Sequence, residues 1–143
     1  MALSDHEIDI LRASMHIIRE RKHIATEVFY ERLFAHNPKL RRLFGTDIAG
    51  QTEKVMVALG AVVAQIHDLD ACREMTADLA VRHVRYGVAA EDYTTVGLAV
   101  QDMLGVLLAD DHSPEIATAW RRAYDAIAAT MIATAYGEPE QVA

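Results

Sequence analysis

The stretch Leu79-Ala-Val-Arg-His83-Val-Arg-Tyr-Gly87-Val88-Ala-Ala-Glu91-Asp92-Tyr93 decides the fold class. Helix formers run up to Arg85, and Gly87 is the kind of residue that closes a helix in a left-handed conformation. Glu91-Asp92 then puts negative charge where the dipole of a following helix favours it. The reading is a helix from about residue 70 to 85, a short corner, and a second helix carrying Val96, Leu98, Val100, Met103, Leu104 and Leu107. His83 falls in the last turn of the first helix.

Working outward, the same helical grammar covers the rest of the chain. Ser4-Asp5-His6-Glu7 has the Ser-x-x-Glu form of a capping box, so a helix begins near residue 5. Ile8, Leu11, Met15 and Ile18 then line one face at helical spacing. A second helix is predicted over about 23–36, and Asn37-Pro38 opens a short one that ends near Phe44-Gly45. Residues 47–67 carry an apolar stripe of Val55, Leu59, Val62, Val63 and Ile66. Ser113-Pro114-Glu115 starts the last helix, which runs to about Tyr136 and is closed by Gly137 and Pro139. No strand alternation with hairpin turns and no solenoid repeat is present. Seven helices and an all-α class follow.

Composition narrows the function classes. With 143 residues, 52% hydrophobic content and only 7 Gly and 3 Pro, one compact domain over 1–143 is expected. The formal charge of −7 and the interleaving of Arg-Glu-Arg-Lys at 19–22 do not form a basic face, so nucleic acid is not an expected partner. No apolar run approaches the ~20 residues that span a bilayer, and the N-terminus lacks a secretory pattern. The single cysteine, Cys72, excludes an internal disulfide and any Cys-rich metal site. A reducing cytoplasm is the expected compartment.

The histidines stand at 6, 16, 23, 36, 67, 83 and 112. None shows His-Glu-x-x-His spacing, and Glu-x-x-His of the di-iron type is not repeated. Taken singly, each reads as a surface or satisfied core histidine.

The opening stretch, continued by Tyr93 and Val96-Gly97, resembles the proximal segment of globins. It is similar to flavohaemoglobin-type, bacterial single-domain and neuroglobin-like members of the three-over-three class. Upstream, Phe29-Tyr-Glu-Arg-Leu-Phe34, Pro38 and Leu43-Phe44 resemble the family's second helix and its phenylalanine corner. Gln51-Thr-Glu-Lys54-Val55-Met56 resembles the distal helix, and Ala119-Trp120 with Ala123-Tyr124 the opening of the last.

The resemblance implies a three-over-three helical sandwich around haem b, with little or no separate fourth helix in the short connection between Phe44 and Gln51. It implies His83 as the iron ligand, with the Leu79 carbonyl one turn earlier as acceptor for its second N–H. Tyr30 and Gln51 become distal donors, and Val55 a distal wall on the face of Gln51. Phe44, Leu79, Val88, Tyr93 and Val96 are assigned to haem packing. Lys54 and Arg82 are assigned to the haem propionates, Lys54 also being a competing iron ligand.

A phenol and an amide in an apolar cavity favour dioxygen, whose oxygens gather negative charge, over carbon monoxide. Hydrogen bonds to charged groups contribute about 1.5–3 kcal/mol, one to two decades in affinity. The expected function is reversible dioxygen binding for storage or transport. The alternatives are nitric oxide dioxygenation or nitrite reduction with an external reductase, and a haem-based gas sensor. The chain carries no Gly-x-Gly-x-x-Gly before Ala143, so a reductase is expected as a separate partner. Where the flavohaemoglobin branch has a glutamate facing the proximal histidine, the spacing from Trp120 and Tyr124 puts Ala135, which weakens the expectation of oxygenase chemistry.

Overall fold

A computed structural model describes residues 3–136. Six α-helices run in the order α1 (Asp5–Glu20), α2 (Lys22–His36), α3 (Ile48–Gln65), α4 (Leu69–Arg85), α5 (Asp92–Leu108) and α6 (Pro114–Tyr136). Two 3-10 helices, Pro38–Phe44 and Ala109–Asp111, complete them, with no strand among the described residues. All seven expected helices are present. Gly137 and Pro139, expected to close the last, lie outside the described residues.

The capping signals act where the sequence puts them. Ser4 Oγ accepts from the Glu7 amide at 3.1 Å, and the Glu7 carboxylate accepts from the Ser4 amide at 3.0 Å. α1 buries Leu11, Ser14, Met15 and Ile18, one stripe at helical spacing. Asn37 Oδ1 accepts from the Lys39 amide at 3.1 Å, with Pro38 at the first helical position. The helix so opened is 3-10 rather than α, the tighter winding usual for short connectors. It ends at Gly45, whose φ of 62° and ψ of −144° only glycine adopts without strain. Asp47 then caps α3 by accepting from the Gly50 amide at 3.0 Å. Only residues 45–47 separate the two helices, so no fourth helix intervenes.

α1, α3 and α4 contact one another in sequence along one layer, and α2, α5 and α6 along the other. Across the layers α2 packs on α3, α4 on α6, and α1 on α6. This is the three-over-three arrangement. Between α1 and α6, the buried Trp120 indole donates to Ser14 Oγ at 2.7 Å. At the α1–α2 corner, Arg21 donates to the Leu107 carbonyl at 3.0 Å, satisfying the last turn of α5 before Ala109 turns the chain at φ 45°.

The buried interior divides into two clusters. The larger is built on Leu11, Met15, Phe29, Leu33, Met103 and Leu104; Phe34, Phe44, Val55, Leu59, Val62 and Val96 fringe it. The smaller contains Ala80, Tyr93, Ala128 and Met131, fringed by Leu79, Val88, Tyr124, Ile132 and Ala135. Ile127 borders both. Among the described residues no helix is long and apolar enough to cross a membrane.

Candidate functional site

The smaller cluster holds the imidazole. α4 is capped by Asp68, whose Oδ1 accepts from the Asp70 and Ala71 amides at 3.1 Å. The helix is pinned against α6 and ends in a last turn carrying Arg82, His83 and Arg85. His83 is half-buried, and its Nδ1 donates to the Leu79 carbonyl at 2.7 Å. A carbonyl only accepts, so the proton sits on Nδ1 and the lone pair on Nε2. Burial is the main cause holding the His83 pKa below its ordinary value; the Leu79 carbonyl opposes this and the Arg82 charge adds to it. The ring is therefore neutral at pH 7, the form that ligates a metal.

The corner after α4 is held by its own backbone. The Val88 amide donates to the His83 carbonyl at 3.0 Å, across Gly87 at φ 85°. Asp92, buried at the start of α5, accepts from the Ala89 amide at 2.9 Å. Next to it, Tyr93 lies against the imidazole, and its hydroxyl is buried with no hydrogen-bond partner among the described residues. Burial, then the neighbouring Tyr136, raises the pKa of that phenol. From α6, Tyr124 donates to the Tyr93 carbonyl at 2.6 Å, and burial chiefly, then Tyr93 and Asp125, raises its pKa too.

The remaining residues expected at the site lie in or beside the larger cluster. Tyr30 on α2 is half-buried and stacks on Phe34, with centroids 6.3 Å apart. Phe34 meets Phe44 edge to face at 5.3 Å, and the Arg41 guanidinium lies 5.1 Å above the Phe34 ring. Val55 on α3 and Val96 on α5 are half-buried on the same cluster. Gln51 and Lys54 are exposed on α3, and among the described residues no hydrogen bond joins Tyr30 to Gln51. Between them in sequence, Thr52 is the buried residue, its hydroxyl returning to the Ile48 carbonyl at 2.8 Å. Arg82 is engaged within its own helix, pairing with Asp78 at 3.0 Å.

The structure thus brings Leu79, His83, Val88 and Tyr93 together and sets Phe44, Val55 and Val96 on the other cluster. Sequence reasoning did not assign a site role to Phe34, Asp92, Tyr124 or Tyr136. Phe34 was within reach, being four residues after Tyr30 and so on its face. Asp92 acts locally, three residues from the Ala89 amide that it accepts from, whereas Tyr124 and Tyr136 act through hydrogen bonds between distant segments, for which no local pattern exists.

Residues 27–131 match the family model named Globin. The chain belongs to the globin family. A flavohemoprotein of Chromobacterium violaceum is 29% identical over 133 residues, covering 91% of this chain and 33% of the relative. Another, from Bordetella pertussis, is 30% identical over 126 residues, covering 86% and 31%. This globin spans about a third of the length of those curated relatives. Among solved structures, an engineered carbene transferase from a Rhodothermus marinus protein, described as a candidate nitric oxide dioxygenase, superposes with TM-score 0.82 at 25% identity, over 94% of each chain. A flavohemoglobin of Malassezia yamatoensis, with FAD and heme bound, gives 0.77 at 22% identity over 94% of this chain and 37% of that one.

The residues of this globin fit a haem. Among the described residues no three His, Cys, Asp or Glu side chains converge on a bare metal ion. An iron at His83 would need its remaining ligands from a porphyrin. The two apolar clusters, which share Ile127, supply apolar side chains of the kind that pack on a flat apolar ring, and Nε2 of His83 carries the lone pair free to coordinate.

Proposed function

We propose that this globin binds haem b through His83 and reversibly holds dioxygen on the side of Tyr30 and Gln51, for storage or delivery. The observation that carries the reading is the Nδ1 bond from His83 to Leu79, which leaves the lone pair of the neutral imidazole on the other nitrogen. When bound, haem supplies an iron with an open position for a diatomic ligand.

The chain's own residues do the rest. His83 anchors the iron and is kept neutral by burial. Leu79, Val88 and Tyr93 line the proximal face; Phe44, Val55 and Val96 line the distal one and exclude water. The Tyr30 phenol and the Gln51 amide donate to a ligand that gathers negative charge and discriminate against carbon monoxide, which gathers little. Lys54 and Arg82 serve the propionates; Arg82 does so in competition with Asp78.

Absorption spectra of the purified protein test this. Oxidised, reduced and CO-bound forms with the bands of a His-ligated haem b are expected. A colourless protein that stays colourless after haemin addition contradicts the reading.

The second reading is an enzyme, a nitric oxide dioxygenase or nitrite reductase fed by a reductase. The likeness to flavohemoproteins and to the Rhodothermus protein favours it. The absence of a carboxylate at Ala135, on the fringe of the proximal cluster, favours the carrier, because an unassisted imidazole pushes less electron density to iron. Fast multiple turnover of nitric oxide with an added reductase decides for the enzyme. A single turnover that stalls decides for the carrier.

A further inference from the structure

The last described residue of α6 reaches the segment that follows His83. The Tyr136 hydroxyl donates to the Val88 carbonyl. The amide of the same Val88 donates to the His83 carbonyl at 3.0 Å. One residue is thus held by the histidine at its nitrogen and by α6 at its oxygen. Residues 86–91 are turn and irregular backbone, and Val88 and Ala89 belong to no helix. The bonds that close this segment run within it and to the flanking helix ends, so an α6 side chain that fixes its carbonyl ties it to a separate element. Just beyond it, in the first turn of α5, Tyr124 of α6 donates to the Tyr93 carbonyl at 2.6 Å.

Tyr136 also lies near Tyr93, whose phenol pKa it helps to raise. Its neighbours Met131, Ile132 and Ala135 face the cluster that contains Tyr93 and is fringed by Leu79 and Val88. The ring is therefore set at the edge of that cluster, 45% exposed, with its hydroxyl turned to the corner.

We propose that Tyr136 is a positioning residue for His83, acting through the Val88 peptide: it latches the 86–91 corner to α6 and thereby fixes the last turn of α4 and the aim of its imidazole. The consequence for the iron rests on the reading of His83 as its ligand; the latch itself does not.

The test compares the full chain, as purified, with Tyr136→Phe and Tyr86→Phe. Phenylalanine keeps the ring and removes only the hydroxyl, so the fold is retained. Tyr86 is an exposed phenol on the same corner and serves as control. In Tyr136→Phe, amides 87–89 exchange about fivefold faster, the factor that loss of one neutral hydrogen bond gives. The His83 imidazole resonances move in the haem-free chain, and the iron–histidine stretching band moves in the reduced haem-loaded one. Tyr86→Phe alters none of these. Faster exchange with His83 signals unchanged in both forms overturns the positioning role, and unchanged exchange overturns the latch. A chain that takes up no haem sinks the iron-ligand reading, and the resonances of the haem-free imidazole then decide the inference alone.

Discussion

The Tyr93 ring lies nearly parallel to that of His83, with 23° between the planes and 6.1 Å between centroids, while its buried hydroxyl meets no acceptor among the described residues. The ring contributes packing, and the oxygen contributes a desolvation cost of about 1–3 kcal/mol. Tyr93→Phe is expected to leave the stability of the haem-free chain unchanged or to raise it, as read by urea unfolding. A loss above about 1 kcal/mol shows that the hydroxyl has a partner in solution.

Gly97 touches the side of this arrangement. A Cβ built there falls 2.9 Å from the Tyr124 ring, the side chain that holds the Tyr93 carbonyl. Gly97→Ala should destabilise by about 1–3 kcal/mol through overpacking. Gly105 lies in the same helix with nothing within 4 Å of such a Cβ. Gly105→Ala should stabilise by about 0.5–1 kcal/mol, because alanine loses less conformational entropy in a helix. Thermal unfolding of the pair checks the opposite signs.

The local signals were legible in the sequence. The box at Ser4 and Glu7, Asn37-Pro38 and Ser113-Pro114 each act within a few residues, and each opens a helix where expected. The winding of Pro38–Phe44 was not legible, since a Pro-led start suits α and 3-10 geometry alike. Nor was the turn at Ala109, a non-glycine residue with positive φ that the sequence does not mark. Contacts such as Arg122–Glu7 at 2.6 Å and His36–Asp102 at 2.8 Å join distant segments. They depend on how helices cross, which periodicity does not encode. At the candidate site, the bond from His83 to the Leu79 carbonyl was readable because the two residues are one turn apart. The surroundings of Tyr30 and Gln51 were not: the sequence could not say that Gln51 is exposed and Tyr30 half-buried.

Burial lowers the His83 pKa from its ordinary 6.5. The unfolded chain therefore binds more protons than the folded one between the two values, and stability rises with pH across that window. The contribution is fully present above about 6.5 and is lost as pH falls from there toward the lowered folded value. Urea unfolding of the haem-free chain should show this slope as pH falls below about 6.5, and His83→Gln should flatten it. An identical slope in the variant assigns it to other groups.

Tyr30 is half-buried on the aromatic wall and Gln51 is exposed. A donor shielded from water contributes more than a solvated one, so the two should differ. Tyr30→Phe should speed dioxygen release by about one to two decades, the worth of a hydrogen bond to a charged acceptor. Gln51→Leu should speed it less, and neither should change carbon monoxide affinity much. Stopped-flow displacement of dioxygen measures both rates. Equal release from all three proteins contradicts the distal assignment.

The central claim is that the imidazole of His83 holds the iron, and haem titration of His83→Ala tests it most directly. The wild-type chain is expected to take up one equivalent of haemin and to show the five- and six-coordinate bands of a histidine-ligated haem on reduction and CO addition. The variant is expected to retain little haem. Full haem content in His83→Ala, with the spectrum unchanged, contradicts the claim.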